Sequence, residues 1–460
     1  MKIVVLAGSP KGEVSVTMQY VEFLRLEFPE HECKVIQVSQ RIQKIENDPQ
    51  AFAEIIEEVR AADGVLWAVP LYVYLVPSQY KRFIELVAKR GAQDAFRGKY
   101  AAALTTSIHF FDHTAHEYLR AISDDLGMCY VGGHSPAMYD LMHREGRRLT
   151  KLFATHFFQA IAERQPTVRR YFPATAPALR YEPGAAGPPV ETRGKKILLL
   201  HDAADGQSNL RRMVERLQGA FGGAAEVGNI HDIDIKGGCL GCLQCGYEGV
   251  CAYAGKDDVR DFHQAKIAPA DIVVFAGSIV DRYLSSRWKM FFDRAFFHNH
   301  IPWLDRKHIA FLVSGPLAQN AFLREIVQAI GEVQSADLVG IVTDEAADSA
   351  ELDRQLDALA AQLVRRADED FVPTGTFLSV GGKKIFRDSV YGRMRLVFPA
   401  DHRYFKEHGG YDFPQKNVRQ RVYNLLLAPL FWIPSFRKRF FREEIKPGMI
   451  RPLQKALARR

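Results

Sequence analysis

Four of the six cysteines in this 460-residue chain fall within thirteen positions, as Cys239-x2-Cys242-x2-Cys245-x5-Cys251. Six cysteines are too few for a disulfide scaffold, and their clustering points to a metal centre. Structural zinc sites usually pair two knuckles across a longer arm, whereas closely spaced thiolates wrap one polynuclear centre. The spacing therefore favours a [4Fe-4S] cluster, with zinc and free redox thiols as alternatives. Cys33 and Cys129 stand apart and read as small apolar core residues.

Three further groups could do chemistry. Gly8-Ser9-Pro10-Lys11-Gly12-Glu13-Val14-Ser15-Val16-Thr17 follows an apolar run and enters a helical pattern, so hydroxyls, amides and helix dipole could meet a phosphate. The plainer reading is a strand-to-helix turn capped by Ser15. Pro70-Leu71-Tyr72 leads to Pro77-Ser78, a loop on which a flat ring could lie. Thr105 to His116 gathers Thr106, Ser107, His109, Asp112, His113 and His116. His109, Asp112 and His113 are the candidate proton-handling groups, since histidine titrates near neutral pH. Against that stands a helix capped by Asp112 with solvated histidines, and a single metal on His109, His113 and His116 is compatible with their spacing.

These groups need elements to hold them. Lys2 to Leu6, Val35 to Val38, Gly64 to Val69, Tyr100 to Leu104 and Cys129 to Gly132 read as strands; Val16 to Glu27, Phe52 to Ala61, Gln79 to Lys89 and Thr114 to Leu126 read as helices. Alternation of this kind predicts a parallel sheet. Residues 166–194 carry six prolines and predict a linker. The pattern then restarts, with Lys196-Ile-Leu-Leu-Leu200 matching Lys2-Ile-Val-Val-Leu6 at an offset of 194. From Ala62/Ala270 and Asp63/Asp271 through Ser78/Ser286, Lys81/Lys289 and Lys99/Lys307 to Gly132/Gly340 the offset is 208. The chain is read as a duplication with about fourteen extra residues in the second copy, where the cysteines lie. The expected organisation is a first α/β domain at 1–165, a linker at 166–194, a second α/β domain at 195–368 and an extension at 369–460. Each α/β domain should be a doubly wound parallel sheet, whose ligands bind beyond the carboxyl ends of the strands.

A length of 460 residues favours two or three domains, and 47% hydrophobic with 25% charged residues excludes a disordered chain. The net charge of +7 is uneven: residues 371–460 hold 19 basic and 6 acidic residues, a net +13, leaving −6 for residues 1–370. No nucleic-acid recognition signature accompanies that charge. Val422 to Pro434 is apolar but too short to span a bilayer, so peripheral membrane contact through the extension is one expectation. A helical arm over the other domains or a second subunit is the other. No signal peptide opens the sequence, which predicts a cytoplasmic protein, and a homo-oligomer is expected.

The Gly-Ser-Pro-Lys loop, Pro-x-Tyr and the Pro77-Ser78-Gln79-Tyr80-Lys81-Arg82-Phe83-Ile84 run together resemble the NADPH-dependent FMN reductase family of flavodoxin-like proteins. Lys11 stands where that pattern has Arg, and Glu85 where it has Asp. The resemblance implies two tandem flavodoxin-like sheets; the basic, mostly helical C-terminal extension lies outside it. It implies an FMN phosphate held by Ser9, Lys11, Ser15, Val16 and Thr17, and a flavin ring against Pro70, Leu71, Tyr72 and Val73, with Thr106 and Ser107 beside it. NAD(P)H is the implied donor, and a small molecule or redox protein the acceptor. The cysteine spacing resembles the compact motif of iron-sulfur flavoproteins. In the second copy the first loop reads His201-Asp202-Ala203-Ala204-Asp205-Gly206-Gln207-Ser208-Asn209, whose aspartates oppose a phosphate. One FMN in the first copy is therefore expected, although Ser208 and Asn209 keep the family's Ser-Asn positions.

Overall fold

The computed structural model describes all residues except 186, 204–207, 413–417, 445, 446, 448, 449, 452, 455, 456 and 458–460. Ten strands form two five-stranded sheets. β1 (Lys2–Ala7), β2 (Glu32–Gln37), β3 (Gly64–Pro70), β4 (Tyr100–Thr106) and β5 (Cys129–His134) make the first. β6 (Ile197–His201), β7 (Glu226–Asn229), β8 (Ile272–Ser278), β9 (His308–Ser314) and β10 (Asp337–Thr343) make the second. Strand orders are β2-β1-β3-β4-β5 and, read from the same edge, β7-β6-β8-β9-β10. Every pairing is parallel. Apolar runs such as Ile3–Ala7 and Ile272–Ala276 are buried along their whole length, as strands covered on both faces must be. This is the doubly wound flavodoxin-like order, made twice.

The duplication extends to individual hydrogen bonds. The Lys2 amide donates to Asp63 Oδ2 at 2.8 Å, and the Lys196 amide to Asp271 Oδ2 at 2.8 Å. Lys99 Nζ reaches the carbonyls of Arg60 and Ala62, and Lys307 Nζ those of Ala268 and Ala270.

The two sheets share one apolar core. Val4, Leu6, Val65 and Trp67 from the first join Leu198, Leu200, Val273 and Phe275 from the second. Between them lie the equivalent helices Ser78–Lys89 and Ser286–Arg294, which contact each other. Their contacts obey the 208-residue offset: the Ser78 amide donates to Asp293 Oδ2 at 2.8 Å and the Ser286 amide to Glu85 Oε1 at 2.6 Å. Lys81 pairs with Glu85, and Lys289 with Asp293, both within their own helix and both buried. The halves thus meet as two subunits related by a two-fold axis would.

Residues 166–194 hold no helix or strand among the described residues, yet the segment is strapped down. Buried Tyr181 donates from Oη to Asp353 Oδ1 at 2.6 Å, and the amides of Arg170 and Tyr171 both donate to Asp124 Oδ2 at 2.9 Å. The extension begins as the Phe377–Tyr391 helix, whose Phe386 packs on Phe110 at 4.5 Å between ring centroids. Met1–Tyr404 is one compact unit and Phe405–Arg460 a second. The second contains the Val418–Leu427 and Pro434–Arg439 helices.

Candidate functional site

The loops after β1, β3 and β4 converge beyond the carboxyl ends of the first sheet, at the crossover between β1 and β3. Gly8 is required there, since a Cβ would come within 2.5 Å of Val69 Cγ1 and 2.8 Å of Tyr80 Cδ2. Gly12 takes φ +60° in a single 3-10 turn, Gly12–Val14, against Gln40. Ser15 then caps the Val16–Glu27 helix, its Oγ accepting from the Met18 amide at 3.2 Å. Val16 and Thr17 open that helix, so their amides have no acceptor within it. Ser9, Ser15 and Thr17 are buried, and Lys11 is half-buried beside them. Hydroxyls, first-turn amides and one cation thus gather at a positive helix end, a cradle suited to a phosphate. Thr17 Oγ1 and Thr106 Oγ1 share a hydrogen bond of 2.7 Å, and the Leu71 amide donates to the Thr106 carbonyl at 3.1 Å, joining all three loops.

In the Pro70–Pro77 loop the Tyr72 amide donates to the Leu75 carbonyl at 2.8 Å and the Leu75 amide returns to Tyr72 at 3.0 Å. The two residues between, Val73 and Tyr74, stand at φ 38° and 68°. A tight turn of this hand normally uses Asn-Gly, so a β-branched residue here is strained. The Tyr74 carbonyl accepts from Thr114 Oγ1, and the Tyr74 ring packs on Phe110 and Phe111, which hold the turn closed.

The cysteine loop of the second copy lies against this site. Gly241, at φ +62°, approaches the Tyr72 hydroxyl so closely that a Cβ would strike it, with Lys11 Cε next nearest. Gln79 Nε2 donates to the Cys239 carbonyl at 3.1 Å, and Lys289 Nζ donates to the Tyr72 carbonyl at 2.9 Å. Tyr72 Oη is buried with no hydrogen-bond partner among the described residues. Burial, then Cys239, Asp293 and Cys242, push the Tyr72 hydroxyl far above its ordinary titration range. Cys239, Cys242, Cys245 and Cys251 line a single cavity with Tyr253, Arg294 and Phe297. Burial pushes the Cys239 thiol up to about 12 and the Cys245 thiol up to about 11. Buried Arg294 anchors the loop, donating to the Gly237 carbonyl and Asp257 and stacking 4.1 Å from the Tyr253 ring centre. Cys251 is among the groups that hold its charge on. Among the described residues no three His, Cys, Asp or Glu groups close around a point at the distance of a single metal ion. Cysteine thiolates are the donors that both zinc and a polynuclear cluster take, and these four share one cavity.

The histidines after β4 separate. His109 Nδ1 meets Asp112 Oδ2 at 2.9 Å, His113 Nε2 meets Glu325 Oε1 at 2.7 Å, and His116 Nε2 meets Thr105 Oγ1 at 2.8 Å. Three different directions rule out one ion on His109, His113 and His116. His113 is spent on the second half of the molecule. His109 and Asp112 stay together: Ser135 Oγ donates to Asp112 Oδ2 at 2.5 Å and receives from Thr105 Oγ1 at 3.0 Å, so a polar chain runs from half-exposed His109 to inward-lying His116. Burial alone would raise the Asp112 pKa, but Ser135 and His109 outweigh it and the carboxyl ends lower than usual. Ser107 Oγ accepts from the His109 amide at 2.8 Å, fixing the turn. Asp112 starts its helix rather than capping it, since Phe111 at φ 57° holds the cap position.

At the second copy's equivalent crossover the described side chains hydrogen-bond within the chain. Asp202 stands at the Gly8 position and accepts from the Ser278 amide at 3.2 Å and from Ser285 Oγ at 2.6 Å. Ser208 caps the Asn209–Ala220 helix, and Asn209 is tied to the Tyr181 amide, the Leu179 carbonyl and Asp344. Ala204, Asp205, Gly206 and Gln207 lie outside the described residues. Sequence reasoning missed Ser135, Arg294 and the Tyr72–Gly241 contact. Only the equivalence of Lys81 and Lys289 hinted that the halves would meet face to face.

The NADPH-dependent FMN reductase family matches residues 1–139. An FMN-dependent NADH:quinone oxidoreductase of Vibrio parahaemolyticus serotype O3:K6 is 34% identical over 90 residues, covering 17% of this chain and 46% of that protein. The chain thus spans about half the length of that curated relative. Among solved structures, an apo NADH:FMN oxidoreductase (EMOB) aligns at 20% identity and TM-score 0.30, over 35% of this chain and 89% of that one. The flavoenzyme NAD(P)H:acceptor oxidoreductase FerB from Paracoccus denitrificans aligns at 16% identity and TM-score 0.28, over 34% and 97%. It is thus the first of the two sheet domains, over residues 1–139, that matches the NADPH-dependent FMN reductase family.

Proposed function

We propose that this chain is an FMN-containing NAD(P)H oxidoreductase, with FMN in the domain at 1–165 and a [4Fe-4S] cluster on Cys239, Cys242, Cys245 and Cys251 of the domain at 195–368, passing electrons to a quinone-like or protein acceptor. The observation that carries the reading is the Gly241 contact with Tyr72, because it puts the cysteine loop of one half on the flavin loop of the other. When bound, FMN can take a hydride as a pair of electrons while a cluster carries one at a time, so the two together would convert between them.

The chain's own residues have separable tasks in this reading. Ser9, Lys11, Ser15, Val16 and Thr17 hold the phosphate; Pro70, Leu71, Tyr72 and Val73 present backbone to the ring, with Thr106 and Ser107 closing the third side. Arg294 and Gln79 orient the cysteine loop. His109, its Nδ1 held by Asp112, keeps Nε2 for accepting or delivering a proton, and the Ser135–Thr105 hydroxyls connect that pair to His116. Asp202, which stands at the Gly8 position of the second copy and accepts from Ser278 and Ser285, opposes a phosphate there and supports one flavin per chain.

Anaerobically purified protein should contain about one FMN and about four iron atoms per chain, with visible bands of both. NADH or NADPH alone should bleach the flavin. Stoichiometric zinc without iron would replace the cluster by a structural staple, and absence of flavin would overturn the reading. A second reading, an electron carrier exchanging with ferredoxin-like proteins, is favoured by the exposure of Cys242 at the surface. It requires that neither nicotinamide bleach the flavin until a redox protein is added.

A further inference from the structure

The Val418–Leu427 helix has an apolar side that nothing covers among the described residues. Val418, Val422, Leu425 and Leu426 recur at i, i+4, i+7 and i+8, the spacing of one helical face. They are 65%, 48%, 74% and 71% exposed. Such a face is what a helix in a folded domain normally buries. The chain then turns through Ala428–Trp432 into the Pro434–Arg439 helix. Phe431 stacks edge-on with Phe436 and Phe440 at 5.4 and 4.8 Å, a knot that ties the turn to the second helix. Trp432 is left 81% exposed beside exposed Ile433. Around these lie the exposed basic residues Arg419, Arg421, Arg437, Lys438, Arg439 and Arg442, against only Glu443 and Glu444 within 418–444. No described helix is long and apolar enough to cross a membrane.

We propose that residues 418–444 dock this protein on an anionic lipid bilayer, with Val418, Val422, Leu425, Leu426 and Trp432 at the headgroup level and the basic residues on lipid phosphates. The charge selects the occupant. A second copy would bring the same six basic residues against themselves, whereas an anionic surface attracts all six. Tryptophan at the edge of an apolar face is the residue type favoured at the water–lipid boundary. This docking is independent of the flavin reading.

The test uses the full chain and sedimentable vesicles of phosphatidylglycerol with phosphatidylcholine, or of phosphatidylcholine alone. Binding to the anionic vesicles should exceed binding to the neutral ones by at least about tenfold, and should drop about tenfold as salt rises from about 50 to about 500 mM. Brominated lipid should quench fluorescence that Trp432→Phe removes. Leu425→Asp with Leu426→Asp should abolish sedimentation, and Arg437→Glu with Lys438→Glu should weaken it at least about tenfold, both without changing the far-ultraviolet circular dichroism. The charge-reversal pair alters only exposed side chains, so it remains informative where the aspartate pair misfolds. No sedimentation with anionic vesicles at low salt would overturn the proposal, as would equal binding to both vesicle types. A dimer in solution that the aspartate pair dissociates would assign the face to a second copy and overturn it as well.

Discussion

Tyr72 and Ser15 show how single residues at this site can be probed separately. The Tyr72 hydroxyl is buried without a described partner, and an unsatisfied buried polar group costs about 1–3 kcal/mol. Tyr72→Phe should therefore leave stability unchanged or raise it by up to about 1 kcal/mol, read as the urea midpoint; a loss above that would reveal a partner for the hydroxyl. Ser15→Ala with Thr17→Ala removes two hydroxyls from the proposed phosphate cradle, each worth roughly 1.5–3 kcal/mol to a charged ligand. FMN binding should weaken at least about tenfold, measured by flavin fluorescence. Part of the change in melting temperature will come from the lost Ser15 cap, about 1 kcal/mol. Unchanged flavin affinity would remove FMN from this loop. Cys242→Ser should eliminate iron while flavin content stays constant, because thiols and cradle belong to different halves of the chain; loss of both cofactors would show that the two sites fold as one.

At the scale of elements, the paired helices Ser78–Lys89 and Ser286–Arg294 carry the junction between the halves. Lys289 and Asp293 are both fully buried, and for each the largest influence is burial, which lowers the lysine pKa and raises the aspartate pKa despite their pairing. Desolvation thus outweighs attraction, and the pair is a poor source of stability but a costly thing to break. Asp293→Ala should destabilise by about 3–5 kcal/mol, whereas Lys289→Met with Asp293→Leu should cost far less. Urea unfolding of the two variants decides this; equal losses would mean that the Ser78 amide, not Lys289, is what Asp293 serves. The same helix pair explains why the cysteine loop reaches Tyr72, since Lys289 extends from it to the Tyr72 carbonyl.

For the molecule as a whole, the two halves bury the faces of the Ser78–Lys89 and Ser286–Arg294 helices against each other within one chain. Two half-buried histidines, His134 and His298, respond to this packing. His134 is pushed down to about 4 by burial and then by the charge of His116, and His298 down to about 4 by burial. The unfolded chain takes up those protons near pH 6.5 and the folded one only near 4, so folding excludes protons over that window. Stability from these residues is full above about pH 6.5 and should drain as pH falls toward about 4. His298→Gln should flatten the curve of urea midpoint against pH across that window, and an unaltered curve would show that His298 is not among the groups responsible.

Periodicity, punctuation and internal repetition made the architecture legible before any coordinates. Val16–Glu27 is a helix with the expected bounds, and the 208-residue register is kept by the hydrogen bonds of Lys99 and Lys307 as well as by residue types. These features are local or repeat at a fixed interval, and buried parallel strands leave continuous apolar runs. The motif at Gly8 to Thr17 was legible for the same reason, since turn and helix start are contiguous. Contacts across the chain were not: Ser135 joining Asp112, Arg294 holding the cysteine loop, and Gly241 lying on Tyr72 connect residues 23, 37 to 57 and about 170 positions apart. Spacing permitted one metal on three histidines, and tertiary structure sent each to a different partner. Side-chain direction on neighbouring turns depends on what packs above them, which spacing along one strand or helix does not contain. Composition determined that the tail is basic and partly apolar; which of its faces remains in solvent was decided only by the folding of the tail itself.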